Sequence, residues 1–165
     1  MNKVLFLLCP TDCLETVVND TFKYQNYFYT SLGNSFSPNH KTLDSLKELI
    51  IKNHIKNICF VLSNDNKIIL DALGGQSFSN ISGLHTFYNK ITKEKRHSEL
   101  VWLGDHRQDA IFSYFLNNKI KELQLSLGNF SRQSVKISGK VYNRYENNFK
   151  SIYSNLTCLK KHSLN

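Results

Sequence analysis

The chain has 165 residues, a formal net charge of +8 at pH 7, and 41% hydrophobic and 12% aromatic residues. That length suits one domain with a real core, and the apolar share excludes a disordered chain. No apolar run reaches the length of a membrane span and residues 4–8 are too short a run for a signal-peptide core, so a soluble, cytoplasmic protein without a membrane partner is expected.

The positive charge invites a nucleic-acid reading. Yet 17 of the 21 basic residues are Lys and Asn reaches 19, a habit of the whole chain and not a local patch. The densest basic run, residues 90–97, also contains Glu94. Without an Arg cluster or an aromatic–basic motif, no nucleic-acid partner is expected.

In chain order, residues 3–8 read as a buried strand that ends at Cys9-Pro10-Thr11-Asp12-Cys13. Pro10 stops pairing there, and Thr11 or Asp12 can cap the next segment. Residues 14–22 form a short helix or irregular segment, and residues 27–30 a second strand closed by Leu32-Gly33-Asn34. A loop with Pro38 leads to Leu43, Leu46, Leu49 and Ile50, whose spacing predicts a helix over 42–54. Residues 55–62 give a nearly unbroken apolar run, a strand buried on both faces. After the polar turn Ser63-Asn64-Asp65-Asn66, a helix runs from about Ile68 to Leu73 and stops at Gly74-Gly75. This alternation implies a parallel sheet.

The second half is less regular. Residues 76–83 read as a loop, 84–91 as a helix, 93–98 as a solvated charged linker, and 100–103, with Trp102, as a short apolar turn or strand. Ile111, Phe112, Phe115, Leu116, Ile120 and Leu123 share one face of a long helix over 108–127, ended by Gly128-Asn129. Residues 135–142 alternate as a strand, 143–148 turn, 149–153 return as a hairpin, and the last ten residues form a basic tail. The expectation is a single α/β domain over 1–155, followed by the tail 156–165. Its mainly parallel central sheet, flanked by helices, contains 3–8, 27–30, 55–62 and either 100–103 or an edge strand at 135–142, with a C-terminal antiparallel hairpin.

In an open α/β sheet, ligands bind at the carboxyl ends of the strands, which directs attention to residues 63–66. The turn carries no strong nucleophile, base or soft metal ligand. Ser63 or Asp65 can cap the next helix, or the turn's backbone N–H groups can hold a small anion such as bicarbonate, sulfate or phosphate. The four cysteines (Cys9, Cys13, Cys59, Cys158) have scattered spacings and do not read as a disulfide framework. Cys9 and Cys13 could supply two thiolates, but no second Cys or His pair lies at a zinc-site spacing. Cys59 reads as core. His54 reads as a helix-end residue, His40 and His85 as loop histidines that could reach the pocket, and His97, His106 and His162 as solvated. Asp105-His106-Arg107 reads as a surface turn.

The order of motifs resembles the β-class carbonic anhydrases. That family has Cys-x-Asp-Ser-Arg after its first strand, Asn-Ala-Gly-Asn after its second, Gly-His-x-x-Cys-Gly after the next buried strand, and a late Ile-x-Gly-Trp-Val-Tyr-Asp. The counterparts here are Cys9-Pro10-Thr11-Asp12-Cys13, Ser31-Leu32-Gly33-Asn34, residues 62–67, and Ile137-Ser138-Gly139-Lys140-Val141-Tyr142-Asn143. Cys9 and Ser63 are 54 residues apart, which suits the family's spacing between its first two metal ligands.

The resemblance implies a zinc site that is not intact. The family's Cys, His and Cys ligands fall on Cys9, Ser63 and Asn66, so Cys9 alone is a relic ligand candidate. The Asp–Arg gating pair falls on Thr11 and Cys13, with Asp12 one residue off and expected to turn the wrong way. The degenerate pocket is therefore Cys9, Thr11, Asp12, Cys13, Gly33, Asn34, Ser63 and Asn66, with no catalytic residue intact and no cofactor. The expected function is a carbonic anhydrase-like pseudoenzyme. One alternative is an active zinc enzyme with rearranged ligands, using Cys9, Cys13 and a loop histidine. The other is an anion-binding or protein-interaction module. The first strand begins at residue 3, so the family's N-terminal arm, which embraces a partner subunit, is expected to be absent, and a homodimer through the sheet stays compatible with the resemblance.

Overall fold

The computed structural model describes residues 2–101, 107–128 and 135–153. Its strands are β1 (Lys3–Leu8), β2 (Gln25–Thr30), β3 (Asn57–Ser63), β4 (Lys136–Asn143) and β5 (Asn148–Ser151). Its helices are α1 (Glu15–Thr21), α2 (His40–Asn53), α3 (Lys67–Leu73), α4 (His85–Val101) and α5 (Arg107–Leu127). Two 3-10 turns, Pro10–Asp12 and Leu32–Asn34, follow β1 and β2. The sheet order is β2-β1-β3-β4-β5, with the first four strands parallel and β5 antiparallel to β4. The single α/β domain with its parallel core and C-terminal hairpin is as the sequence implies.

Strand alternation sorts the core into two layers. Leu5, Leu7, Ile58, Phe60 and Leu62 point to the face covered by α2, α3, α4 and α5. Phe112, Phe115, Leu116 and Leu123 form the buried stripe of α5, so the long helix was legible from its period. Val4, Phe6, Leu8, Cys59, Val61 and Tyr142 point to the other face, where Leu14 and Val18 of the α1 region lie, flanked by Phe22, Phe28 and Phe149. Cys59 is core, as expected, and burial pushes its thiol pKa up. Gly139 lets this sheet close on α5, since a Cβ there would lie 2.7 Å from Ile152 Cδ1 and 3.3 Å from Ile120 Cδ1.

Several expectations need correction. Residues 93–98 are not a linker: α4 runs unbroken to Val101, because Lys, Glu and Arg are good helix formers and a charged run suits a helix's solvent side. Residues 100 and 101 belong to that helix and not to the strand expected at 100–103, whose residues 102 and 103 lie outside the described ones. The fourth parallel strand is β4, and it is internal because β5 covers it. The buried strand starts at Asn57, after Ile55, and extends to Ser63. α2 begins at His40 because the Asn39 side chain accepts the Thr42 N–H and caps it. His54 closes α2 in the left-handed conformation (φ 53°), donating its backbone N–H to Ile50 and Ile51 carbonyls. Trp102, Asp105, His106, Asn129, Cys158, His162 and the tail 156–165 lie outside the described residues, as do the side chains of His97 and Arg107. Among the described residues no helix is long and apolar enough to cross a membrane.

Candidate functional site

β1 and β3 are the point in the sheet from which the chain proceeds to opposite sides, β2 on one and β4 on the other. Their last paired residues are Leu7 and Phe60, and beyond these the two strand ends are free to part. Such a crevice at the carboxyl ends is where open α/β sheets take ligands. Asn34 enters it from the turn after β2, with its backbone in the left-handed region (φ 54°). The Asn34 amide donates to Leu7 O at 3.0 Å and Val61 O at 2.7 Å, stitching the two strand ends together. Its Oδ1 has no hydrogen-bond partner among the described residues. Gly33 beside it has φ 59°, and a Cβ there would meet Phe87 Cζ at 2.9 Å and Ile68 Cγ2 at 3.0 Å. Only glycine lets the turn sit this close to α3 and α4.

Cys9 leaves β1 in extended conformation, and Pro10 fixes the backbone at the first position of the 3-10 turn. The Asp12 N–H donates to Cys9 O at 3.0 Å, closing the turn, and Cys13 ends it in the left-handed conformation (φ 52°). That geometry sends Thr11 and Cys13 outward and Asp12 inward, where it is 2% exposed. The expectation that Asp12 turns the wrong way is thus reversed. Nor does Asp12 or Thr11 cap α1, whose N-cap is Leu14 without a side-chain bond. Cys9 is buried, with Sγ accepting the Gly33 N–H at 3.0 Å and lying 3.0 Å from Thr11 Oγ1. Cys13 Sγ reaches only its own turn, donating to Pro10 O at 3.6 Å.

Asp12 is the centre of the crevice. Its Oδ2 accepts the Ser63 N–H at 2.8 Å and its Oδ1 accepts from Asn66 Nδ2 at 2.7 Å. Burial pushes its pKa up to about 6, against the pull of the Ser63 and Asn66 hydrogen bonds, with Asp65 raising it and Arg144 lowering it further. Asn66 spends its other end on α3, accepting the Ile69 N–H at 2.9 Å. The helix cap is therefore Asn66, not Ser63 or Asp65. Ser63 is still in β3, and its hydroxyl donates to Asp65 Oδ1. The strand-end N–H that could have held a free anion instead holds the chain's own carboxylate.

Arg144, from the β4–β5 turn, closes the arrangement. Its Nε donates to Asp65 Oδ1 at 3.1 Å and Oδ2 at 2.9 Å, and its Nη2 donates to the Asp12 carbonyl at 2.8 Å. Its backbone N–H donates to Asn64 Oδ1 at 3.1 Å, while Gln108 of α5 donates to Asn64 O. Burial is the largest single influence on the Asp65 carboxyl and raises its pKa, but the hydrogen bonds from Ser63 and Arg144 and the Arg144 charge together outweigh it and hold the carboxyl below its ordinary value. Sequence reasoning missed Arg144 and Gln108. The available signal was rarity: Arg is four of 21 basic residues here, and its planar fork can span two acceptors where Lys cannot.

Of the eight pocket positions, the structure brings Cys9, Asp12, Gly33, Asn34, Ser63 and Asn66 into one buried hydrogen-bonded cluster and leaves Thr11 and Cys13 at its outer side. The loop histidines are not part of it. His40 is exposed at the start of α2, and His85 is exposed with its Nδ1 paired to Asn89. His54 is exposed at the opposite end of the strands, ahead of β3. Among the described residues, no three His, Cys, Asp or Glu side chains are placed to hold a metal ion.

This arrangement of strands, turns and helices recurs in solved proteins. The wild-type β-carbonic anhydrase CafD of Aspergillus fumigatus superposes with a TM-score of 0.72 at 18% identity, covering 90% of this chain and 88% of that one. The chain has the β-carbonic anhydrase fold. The tetrameric β-carbonic anhydrases of Sordaria macrospora match with a TM-score of 0.69 at 16% identity, over 95% of this chain and 81% of theirs. A Coccomyxa β-carbonic anhydrase in complex with acetazolamide gives 0.69 at 14% identity, over 92% and 72%. No protein-family model matches the sequence, and no curated protein matches it significantly. The likeness to β-carbonic anhydrases thus resides in the backbone, and its site must be argued from the side chains above.

Proposed function

We propose that this protein is a β-carbonic anhydrase-fold pseudoenzyme, in which a carboxylate–amide network fills the strand-end crevice and carbon dioxide is not hydrated. In this reading Ser63 and Asn66 occupy the positions of the family's His and second Cys ligands, and Cys9 that of the first. The observation that carries it is the engagement of Asp12: each carboxylate oxygen already accepts a donor, from Ser63 N–H and from Asn66 Nδ2.

The donors present do not fit zinc. Tetrahedral zinc takes thiolate, imidazole and carboxylate groups, with one position open for water. Here the amide of Asn66 is committed at both ends, the Ser63 hydroxyl is committed to Asp65, and Cys9 is the sole soft donor in the cluster. An amide and a neutral hydroxyl are weak zinc donors beside thiolate and imidazole. A rearranged site with Cys13 and a loop histidine draws no support, since Cys13, His40 and His85 are exposed and no three His, Cys, Asp or Glu side chains among the described residues are placed to hold a metal ion. An anion at residues 63–66 is disfavoured too, because the Ser63 N–H already binds Asp12, the Ile69 N–H already binds Asn66, and the Asp65 carboxylate stands in the same turn.

The test is elemental analysis of the purified protein together with a carbon dioxide hydration assay. The proposal expects no stoichiometric zinc and no rate above the uncatalysed reaction. Stoichiometric zinc that is lost in Cys9→Ala would overturn it. Self-association belongs to the same reading, because the Sordaria macrospora proteins of this fold are tetrameric. Light scattering on the full chain measures it directly.

A further inference from the structure

The β4–β5 turn, residues 143–148, folds back over the mouth of the crevice. Within the turn, Asn143 Oδ1 accepts the N–H groups of Tyr145 and Glu146, and Tyr142 donates its hydroxyl to Asn147. Those bonds shape the turn and reach nothing beyond it. Past Arg144 the turn is bare: Tyr145 is 97% exposed, and Glu146, Asn147 and Asn148 are exposed as well. Only Arg144 extends a side chain from the tip into the site, and it does so in two directions, to the Asp65 carboxylate and to the main-chain carbonyl of Asp12.

We propose that Arg144 is the latch of a strap: while it holds Asp65 and Asp12 O, the turn Pro10–Asp12 stays closed over Cys9, and when it lets go that turn lifts and opens the crevice without unfolding the sheet. Three features support a local opening. The Arg144–Asp65 pair is half in water, with side chains 44% and 52% exposed, so solvent and salt compete for it. The sheet beneath is held by a separate apolar core, in which Leu5, Leu7, Ile58, Phe60 and Leu62 are fully buried. The element to be lifted is short, three residues between Cys9 and Cys13, and both of its outer side chains already face solvent. Burial also works against the Asp12 charge, so the turn is restrained in a position that its own carboxylate disfavours. On its inner side the turn is held by the Asp12 carboxylate, whose bonds from Ser63 N–H and Asn66 Nδ2 must part as well when it lifts. Such a local opening lies below the global unfolding free energy because the apolar core is left intact.

Thiol labelling tests the latch, because the chain carries its own control. Cys9 and Cys59 are both buried, at 1% and 4% exposure, but Cys9 leads directly into the Pro10–Asp12 turn, its Sγ 3.0 Å from Thr11 Oγ1, and Cys59 lies within β3. The full chain is labelled with N-ethylmaleimide under native conditions, and each cysteine is read by peptide mass mapping. In Arg144→Gln, Cys9 should react about tenfold faster than in the wild type, the loss expected for hydrogen bonds made by a charged group, while Cys59 keeps its rate. Arg144→Lys keeps the charge opposite Asp65 but cannot span both acceptors, so it too should speed Cys9. An unchanged Cys9 rate in Arg144→Gln overturns the proposal, as does a rise shared equally with Cys59, which marks general destabilisation. A wild-type Cys9 rate in Arg144→Lys also overturns it, since charge alone would then hold the strap.

Discussion

Asn66 Nδ2 donates to Asp12 Oδ1 across 2.7 Å, while Asn66 Oδ1 accepts the Ile69 N–H at 2.9 Å. One amide therefore closes the crevice between β1 and β3 and also starts α3. The two residues are 54 apart in sequence, so the bond ties the first turn of the chain to the middle of the sheet. Asn serves the two partners with two separate atoms, Nδ2 toward Asp12 and Oδ1 toward Ile69, whereas in Ser or Cys a single atom would have to reach both.

Asn66→Ala should lower stability by about 2–4 kcal/mol, combining a lost helix cap with a buried carboxylate oxygen left without its donor. Asn66→Asp separates the two losses. It keeps a capping oxygen but sets a second carboxylate against Asp12, so its deficit should shrink as the pH is lowered and one of the two takes a proton. Urea unfolding at pH 7 and pH 5 measures both. An Asn66→Asp deficit that does not change between the two would mean the side chains do not meet.

The pH dependence of the wild type follows from Asp12. Its pKa is about 6 in the folded chain against an ordinary 3.8, so the folded state holds the proton more tightly than the unfolded one. The stabilisation this brings is fully present below about pH 4 and is lost as pH rises through about 6, with a span on the order of 3 kcal/mol. Asp65 acts in the opposite sense, but its lowered pKa confines its effect to more acid solution, below its ordinary 3.8. Glu122, against the pull of burial, and Glu146 are held below their ordinary 4.5 by hydrogen bonds from lysine partners, and they oppose the Asp12 effect up to about pH 5. Between about pH 5 and 7, then, the wild-type unfolding free energy should fall with rising pH, and Asp12→Asn should lack that slope. Parallel slopes in the two proteins would show that Asp12 is not a buried carboxylate.

Much of this could be read beforehand, and the limits have physical causes. β1 and β3 announce themselves because strands buried on both faces need unbroken apolar runs, and the stripe of α5 because one face must be apolar. The tail of α4 did not, since a charged run gives the same signal whether it is a linker or a helix's wet side. At the site, Cys9, Gly33, Asn34, Ser63 and Asn66 were identified through the order of motifs. The direction of Asp12 was misread because alternation rules for strands do not apply to a turn that begins with proline. The cap was assigned to Ser63 or Asp65 for a similar reason: which residue caps depends on where the strand ends, and Ser63 is still paired to Tyr142. The rarity of arginine could single out Arg144 but not its partners, because Asp65 and Asp12 lie 79 and 132 residues away.

Gly33→Ala should cost about 2–4 kcal/mol, since the left-handed backbone disfavours a Cβ and the site has no room for one. Phe87 Cζ would lie 2.9 Å and Ile68 Cγ2 3.0 Å from it. The effect should also reach Cys9, whose Sγ accepts the Gly33 N–H. A thermal melt within about 2 °C of the wild type would show that the turn after β2 adapts freely, for a ΔΔG of that size shifts a domain of this length by several degrees.

Rebuilding a metal site tests the proposed correspondence of positions. Ser63→His with Asn66→Cys restores the family's donor types beside Cys9, but the structure shows what that pair alone neglects. Asp12 would still fill the crevice, now facing a thiol where it had an amide donor, and its charge would have lost one of its two partners. Restoring Thr11→Asp and Cys13→Arg, which the motif alignment would suggest, acts on side chains that face outward. The informative variant is therefore Asp12→Ala with Ser63→His and Asn66→Cys, in which the competing carboxylate is removed and three soft donors converge. Loss of the Asn66 cap lowers stability by about 1 kcal/mol, a tolerable cost for a domain of ordinary stability. The triple variant should retain close to one zinc per chain after dialysis, measured by elemental analysis, and the double variant clearly less. Activity should trail metal binding, because the groups that orient ligands around a metal are no longer arranged for that purpose. If the triple variant keeps the wild-type circular dichroism spectrum yet retains no zinc, Ser63 and Asn66 do not stand at ligand positions, and the correspondence on which the pseudoenzyme reading rests is wrong.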